Sequence, residues 1–406
     1  MRRKRRVKKG RLIAVCLLAI AVMITGGCSV YLATRLFQKD TATETKKNTK
    51  TEKKQNTEKT SSFTFAGVGD NLLHDVIFAD YMYGDTDFDF DQYYELMKKY
   101  IEPVDLAYIN QETICAGDDY GLSGYPTFNG PTQLLDATID TGFDWLATSS
   151  NHSLDKGADA LLAQLDYLDE KYPKVSVTGT HRSEEESQEY VVREVNGIKV
   201  GLLGYTYGTN GIPVPEDKPW IVDLIDEEKI EKDVKEISKI SDVQIVSMHW
   251  GTEYHTEIEP DQEELAKKMN EWGVEVIIGT HPHVIKPAEI IQGEKQDTLC
   301  YYSLGNFLSA QDTNDRMVGG MASFTLNYDF EKEKTTFDKV QFIPTVTYFD
   351  PYLSNFKVMT IHEYNNEYAQ GHHITAMGYD MTKEWIQEYV QQVMQEPEGI
   401  EVVLES

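Results

Sequence analysis

Residues Glu275–Glu289 read EVIIGTHPHVIKPAE. The run Val274–Ile278 is apolar with almost no polar face, as expected of a strand covered on both sides in an α/β sheet. It ends in two histidines held apart by one proline. Pro282 biases His281 towards extended backbone, and side chains two residues apart on an extended segment share a direction. Both imidazoles are therefore expected to face one crevice.

The same pattern recurs outward from this stretch. Strands are expected at Phe63–Val68, Val104–Ile109, Phe143–Thr148, Ile198–Tyr205 and Val243–Met248, separated by amphipathic helices. In DQEELAKKMNEWG, Leu265, Met269 and Trp272 fall on one face and Gly273 supplies the stop. TQLLDATIDTG closes at Gly142 in the same way, and Ser153 or Asp155 stands as the cap of a helix running through Tyr167.

Ligands of open α/β sheets bind beyond the carboxyl ends of the strands, and these ends carry chemistry. Asp70 with nearby His74 follows the first strand and Glu112 the second. Asn151, His152 and Asp155 follow the third, His249 another, and His281 with His283 the last. Carboxylates, imidazoles and an amide suit borderline divalent ions such as Mn²⁺, Fe²⁺ or Zn²⁺. Seven or eight donors are too many for one ion, so two metals are expected, with Glu112 able to bridge them. His181, His255, His362, His372 and His373 lie away from strand ends and are read as surface residues, His255 at the rim.

The chain has 406 residues, enough for one or two domains with a sizeable core. Residues 1–11 form a basic tail with eight Lys/Arg, and Leu12–Thr34 then run 23 residues without a charge. That exceeds the roughly 20 residues needed to cross a bilayer, so 12–37 is expected to be a transmembrane anchor with the tail in the cytoplasm and the remainder outside. ITGGCS around Cys28 leaves a lipoprotein signal as an alternative, and a cleaved signal peptide is another. Residues 38–62 lack large apolar side chains and read as a flexible linker. The net charge is −28, and +8 on residues 1–11 with +4 on residues 12–62 leaves −40 for the rest. Such a body disfavours nucleic acid and attracts divalent cations. Cys115 and Cys300, the cysteines beyond the apolar segment, are expected as core thiols.

GVGDNLLHD, LAYINQETICAG, SSNHSLDKG, NGIKVGLLGYT, MHWGTEY, GTHPHVIKPAE and YYSLGNFLSAQ occur in an order that resembles the bacterial CapA/PgsA capsule-synthesis family, associated with poly-γ-glutamate capsule. The resemblance covers about residues 63–325, with 326–406 expected as a C-terminal extension packed on that domain. It implies a calcineurin-like metallophosphoesterase relative: a four-layer αββα sandwich of two mixed sheets. It further implies that Asp70 and His283 hold one metal, that Asn151, His249 and His281 hold the second, and that Glu112 bridges where the superfamily uses Asp. His152 would be the general acid, oriented by Asp155. The superfamily's Asp-x-His is absent, the nearest histidine after Asp70 being His74.

The resulting expectation is a single-pass, membrane-anchored extracellular metal-dependent hydrolase of capsule biosynthesis or export, acting on an anionic capsule polymer or an envelope phosphoester. A non-catalytic metal-binding subunit of a membrane polymer synthase and a phosphodiesterase unrelated to capsule are the alternatives.

Overall fold

The computed structural model describes residues 59–84 and 88–405. The expected anchor over 12–37 lies outside the described residues, as does the linker up to residue 58. Among the described residues no helix is long and apolar enough to cross a membrane.

In chain order the strands are β1 Thr60–Asn71, β2 Leu106–Asn110, β3 Trp145–Ala147, β4 Ser176–Thr178 and β5 Val191–Val195. They continue with β6 Ile198–Thr206, β7 Val243–His249, β8 Val276–Thr280, β9 Ala288–Ile291 and β10 Thr298–Tyr301. β11 Asn306–Leu308, β12 Val318–Asp329, β13 Lys334–Tyr348, β14 Lys357–Thr360 and β15 Glu401–Val402 complete the set. One sheet runs β14-β13-β12-β1-β2-β3-β4, with β11 on β1 and β15 on β13; the other runs β5-β6-β7-β8-β10-β9. All six strands expected from the sequence are present, within a few residues of their expected ends.

Two details differ from expectation. Residues 60–62, expected in the linker, belong to β1, because Ser61 and Ser62 pair with Tyr328 and Asn327 of β12. Backbone pairing there overrides a polar, strand-poor composition. For the same reason residue 325 is no boundary: β12 crosses it, and the C-terminal region supplies β13, β14 and β15 to the first sheet.

The apolar faces explain the layering. Along β7, Val243 and Ile245 join the core shared with Phe65, Tyr108 and Trp145 of the first sheet. Val246 and Met248 join a second core with Ile230, Val234, Leu265 and Met269 of the helices Glu227–Ile237 and Pro260–Trp272. Each strand residue thus faces either the other sheet or a helix, which is why the run is apolar throughout. Tyr108 Oη lies 2.6 Å from Ser247 Oγ, a polar link between the two sheets. Cys115 and Cys300 are buried free thiols, as expected.

β1, β2, β3 and β4 are parallel in one sheet, and β6, β7 and β8 in the other. Close approach at two strand ends requires glycine. A Cβ on Gly69 would meet Gly305 O at 1.9 Å, and one on Gly279 would meet Tyr302 O at 2.0 Å.

His372, expected on the surface, is buried. Its Nε2 donates to Thr347 O (2.9 Å) on β13, and its Nδ1 accepts from Ile374 N (3.2 Å) at the head of the helix His373–Ala376. Only a neutral ring makes both bonds, and burial holds its pKa down at about 4. An unfolded histidine binds its proton near pH 6.5, so this contribution is full above that value and is lost as pH falls towards 4. Wild-type protein should lose about 3 kcal/mol more than a His372→Gln variant between pH 7 and 4. Urea unfolding at the two pH values checks this.

Candidate metal centre

The parallel strand ends bring Asp70, Glu112, Asn151, His249, His281 and His283 near one another. Asp70 leaves β1 fully buried, and its Oδ1 accepts from Asn110 Nδ2 at 2.8 Å. Both Asp70 oxygens lie 3.2 Å from the His281 N–H, and Oδ2 lies 3.1 Å from His283 Nδ1. Glu112, two residues past β2, places Oε1 3.7 Å from His249 Nε2 and 3.7 Å from His283 Nε2. His249 Nε2 lies 2.9 Å from Asn151 Oδ1, so an imidazole and an amide oxygen converge at the end of β7. The His281 ring stands 4.8 Å from that of His249 and 5.7 Å from that of His283.

The histidine pair arrives by a different route from the one expected. His281 has φ 97° and His283 φ 59°, both left-handed rather than extended. The chain turns sharply after β8 so that the His281 N–H can reach Asp70, and Pro282 O accepts from Tyr254 N at 2.7 Å. Strained backbone of this kind persists where surrounding contacts over-determine it. The imidazoles converge through a tight turn, not through the pleat of a strand.

The donor set fits divalent cations. Glu112 is 1 % exposed, yet neither of its carboxylate oxygens has a hydrogen-bond partner, and His281 Nδ1 has none either. A buried carboxylate without partners is strongly disfavoured unless a positive charge compensates it. Glu112, His281 and His283 each offer a ligand atom within 4.8 Å of the others. Burial pushes the Glu112 carboxyl well above the usual range, against the pull of His283. Burial also works to lower His283, but Glu112 and Asp70 outweigh it and hold it at about 9. Burial and neighbouring imidazoles hold His249 and His281 well below the usual histidine value, in the neutral form that ligates metal.

His152 sits at the edge of this group. Its Nδ1 is 2.7 Å from Asp155 Oδ2, which also accepts from Phe128 N at 2.6 Å. That bond fixes the ring by one nitrogen and leaves Nε2 for other work. The helix expected to be capped by Ser153 or Asp155 begins instead at Ala158 after Gly157, because Asp155 is committed to His152 and Ser153 Oγ to Thr148 O and Ser150 O.

His74 lies outside the Glu112, His281 and His283 group. Its Nδ1 accepts from Ala310 N at 3.2 Å, and its ring stands edge-on to Phe128 at 5.3 Å. Burial lowers its pKa to about 4.

Several residues at the centre have no role assigned from the sequence. Asn110 bonds Asp70 and lies 3.3 Å from His249 Nδ1; Asn306 Oδ1 lies 3.0 Å from His283 Nδ1. Both stand in motifs that carry the family resemblance, LAYINQETICAG and YYSLGNFLSAQ, where an amide is a weaker ligand signal than a carboxylate or an imidazole. Asn210 links Asn151 and His152 from a loop that succeeds β6 and carries no ligand signal of its own.

Lys286 is a further one. Buried beside the histidine turn, its Nζ donates to Glu259 Oε2 (2.8 Å) and Gln262 Oε1 (2.7 Å). Glu259 also accepts from Thr252 N and Oγ1, so Lys286 ties the histidine turn to the loop after His249. Lys286→Met should destabilise the protein by about 2 to 3 kcal/mol, since Glu259 is left partly buried without its cation. Urea unfolding checks the size, and metal titration should show weakened affinity.

Among solved structures the chain is similar to a phosphatase from Mycoplasma pneumoniae, with TM-score 0.42 and 15 % identity over 70 % of this chain and 94 % of that one. It is also similar to the NAD nucleotidase of Haemophilus influenzae, with TM-score 0.43 and 12 % identity over 86 % and 58 %. Among curated proteins, the PGA biosynthesis protein CapA of Bacillus subtilis is 29 % identical over 174 residues, 42 % of this chain and 44 % of the relative. The capsule biosynthesis protein CapA of Bacillus anthracis is 28 % identical over 187 residues, 44 % and 43 % of the two chains. The matched stretch thus spans less than half the length of either curated relative. The family described as bacterial capsule synthesis protein PGA_cap matches residues 64–311, the span from β1 through β11 that carries every residue of the metal centre. This chain belongs to that family.

Proposed function

We propose that this chain is a metal-dependent hydrolase of capsule biosynthesis or export, built as a four-layer metallophosphatase-like sandwich and acting on poly-γ-glutamate, a related anionic polymer or an envelope phosphoester. In this reading the basic tail stays in the cytoplasm, residues 12–37 cross the membrane, and the domain works outside, beside the subunits that make the polymer. The observation that carries the hydrolase reading is Glu112, a buried carboxylate without hydrogen-bond partners between His249 and His283.

Asp70, Glu112 and His283 would hold one cation, and Glu112, Asn151, His249 and His281 the other. Divalent ions held there supply Lewis acidity for hydrolysis near neutral pH. Asn110 keeps Asp70 aimed at the centre, and the turn at His281 lends its N–H to the same carboxylate. His152, fixed through Nδ1 by Asp155, presents Nε2 as the atom that gives a proton to the leaving group.

The test uses the purified full chain, stripped of metal and reloaded with Mn²⁺, against poly-γ-glutamate and a simple aryl phosphodiester. Metal-dependent cleavage of either supports the proposal. Cleavage of neither, by protein that holds its metal, counts against hydrolysis and for the accessory role.

A further inference from the structure

Beside His283, Tyr254 takes φ 66° and donates its N–H to Pro282 O, which sets its ring 6.1 Å from the His283 ring. Arg316 lies on the tyrosine face, Cζ 3.6 Å from the ring centroid. The Arg316 carbonyl accepts from Asn306 Nδ2 at 2.9 Å, and Asn306 Oδ1 lies 3.0 Å from His283 Nδ1. The main chain of Arg316 is thus tied through Asn306 to His283, and its side chain to Tyr254, the neighbour of that imidazole. The side chain is 23 % exposed, and its Nε is buried with no partner. Nη1 donates to Asp312 Oδ1 at 3.0 Å, but Asp312 is 71 % exposed. A pair that wet is weak, so an incoming anion can displace it. Glu253, exposed in the same loop as Tyr254, is another charged side chain close by.

The acidity of the body gives this arginine its meaning. With −40 beyond residue 62, the overall field repels anions, so an anionic ligand needs a cation fixed where it docks. An arginine fork held flat on an aromatic ring suits two parallel bonds to a carboxylate or phosphate. We infer that Arg316, stacked on Tyr254, is a specificity-determining residue that takes an oxyanion of the substrate next to His283. The inference rests on the metal-centre reading for the position of the reacting group.

Calorimetric titration of the Mn²⁺-loaded full chain with orthophosphate and with oligo-γ-glutamate tests it. Arg316→Ala should weaken one probe about ten- to a hundredfold at unchanged metal content, the loss expected for a charged hydrogen-bonding group. Arg316→Lys should not restore it, because a point charge lacks the fork. Asp312→Asn, which frees the guanidinium, should tighten the same probe, and the responding probe tells phosphate from carboxylate. Equal binding of both probes by Arg316→Ala and wild type overturns the inference and leaves the metal centre standing. Arg316-dependent binding by protein that takes up no Mn²⁺ keeps the assignment of Arg316 and instead contradicts the metal-centre reading.

Discussion

Replacing Glu112 by glutamine should reverse its effect on stability according to whether metal is present. In a chelator, wild type carries a buried carboxylate without partners, and the neutral amide should be more stable by about 1 to 3 kcal/mol. In excess Mn²⁺ the order should invert, because wild type gains RT ln(1 + [L]/Kd) from binding and the variant loses most of it, with affinity reduced by more than about a hundredfold. Thermal unfolding of both proteins in chelator and in Mn²⁺ gives the four values required. A residue that merely packs would be destabilising to replace under both conditions, so the inversion is specific to a ligand.

His152→Ala should lower turnover by between about a hundredfold and ten-thousandfold, the range for removing a general acid, while metal content stays at the wild-type level. The ring is held by Asp155 and lies at the edge of the donor set, so its loss leaves Asp70, Glu112, Asn151, His249, His281 and His283 in place. Asp155→Asn should give a smaller fall by loosening the ring. Metal analysis beside steady-state kinetics separates loss of chemistry from loss of the centre. Equal polymer output by cells carrying His152→Ala and by wild-type cells would favour the non-catalytic accessory role.

Strand ends were the legible part of this protein. Runs such as Val243–Met248 are apolar on both faces, and that pattern marks covered parallel strands and locates their carboxyl ends. Of the polar residues just beyond those ends, Asp70, Asn151, His249, His281 and His283 lie near Glu112, whereas His74 is held by Ala310. Register and backbone were less legible. His281 and His283 were expected to share a direction through an extended segment, whereas both take left-handed φ because the turn is built around hydrogen bonds to Asp70 and from Tyr254, which no local pattern encodes. His372 reads as exposed from the sequence because its burial depends on β13 and the helix after it meeting in space. Residues 60–62 read as linker from composition, yet an edge of β12 was waiting to pair with them. Asn210 reaches Asn151 and His152 from a loop, and Arg316 meets Tyr254 from the short 3-10 helix Asp315–Met317, and at neither place does a single sequence signal position.

Anomalous diffraction from crystals of the Mn²⁺-loaded protein tests the central claim most directly. Two peaks about 3.5 to 4 Å apart, with a Glu112 oxygen between them and with Asp70 and His283 on one side and Asn151 and His249 on the other, are the expected result. A single peak, or manganese bound elsewhere with Glu112 touching none of it, would contradict the account.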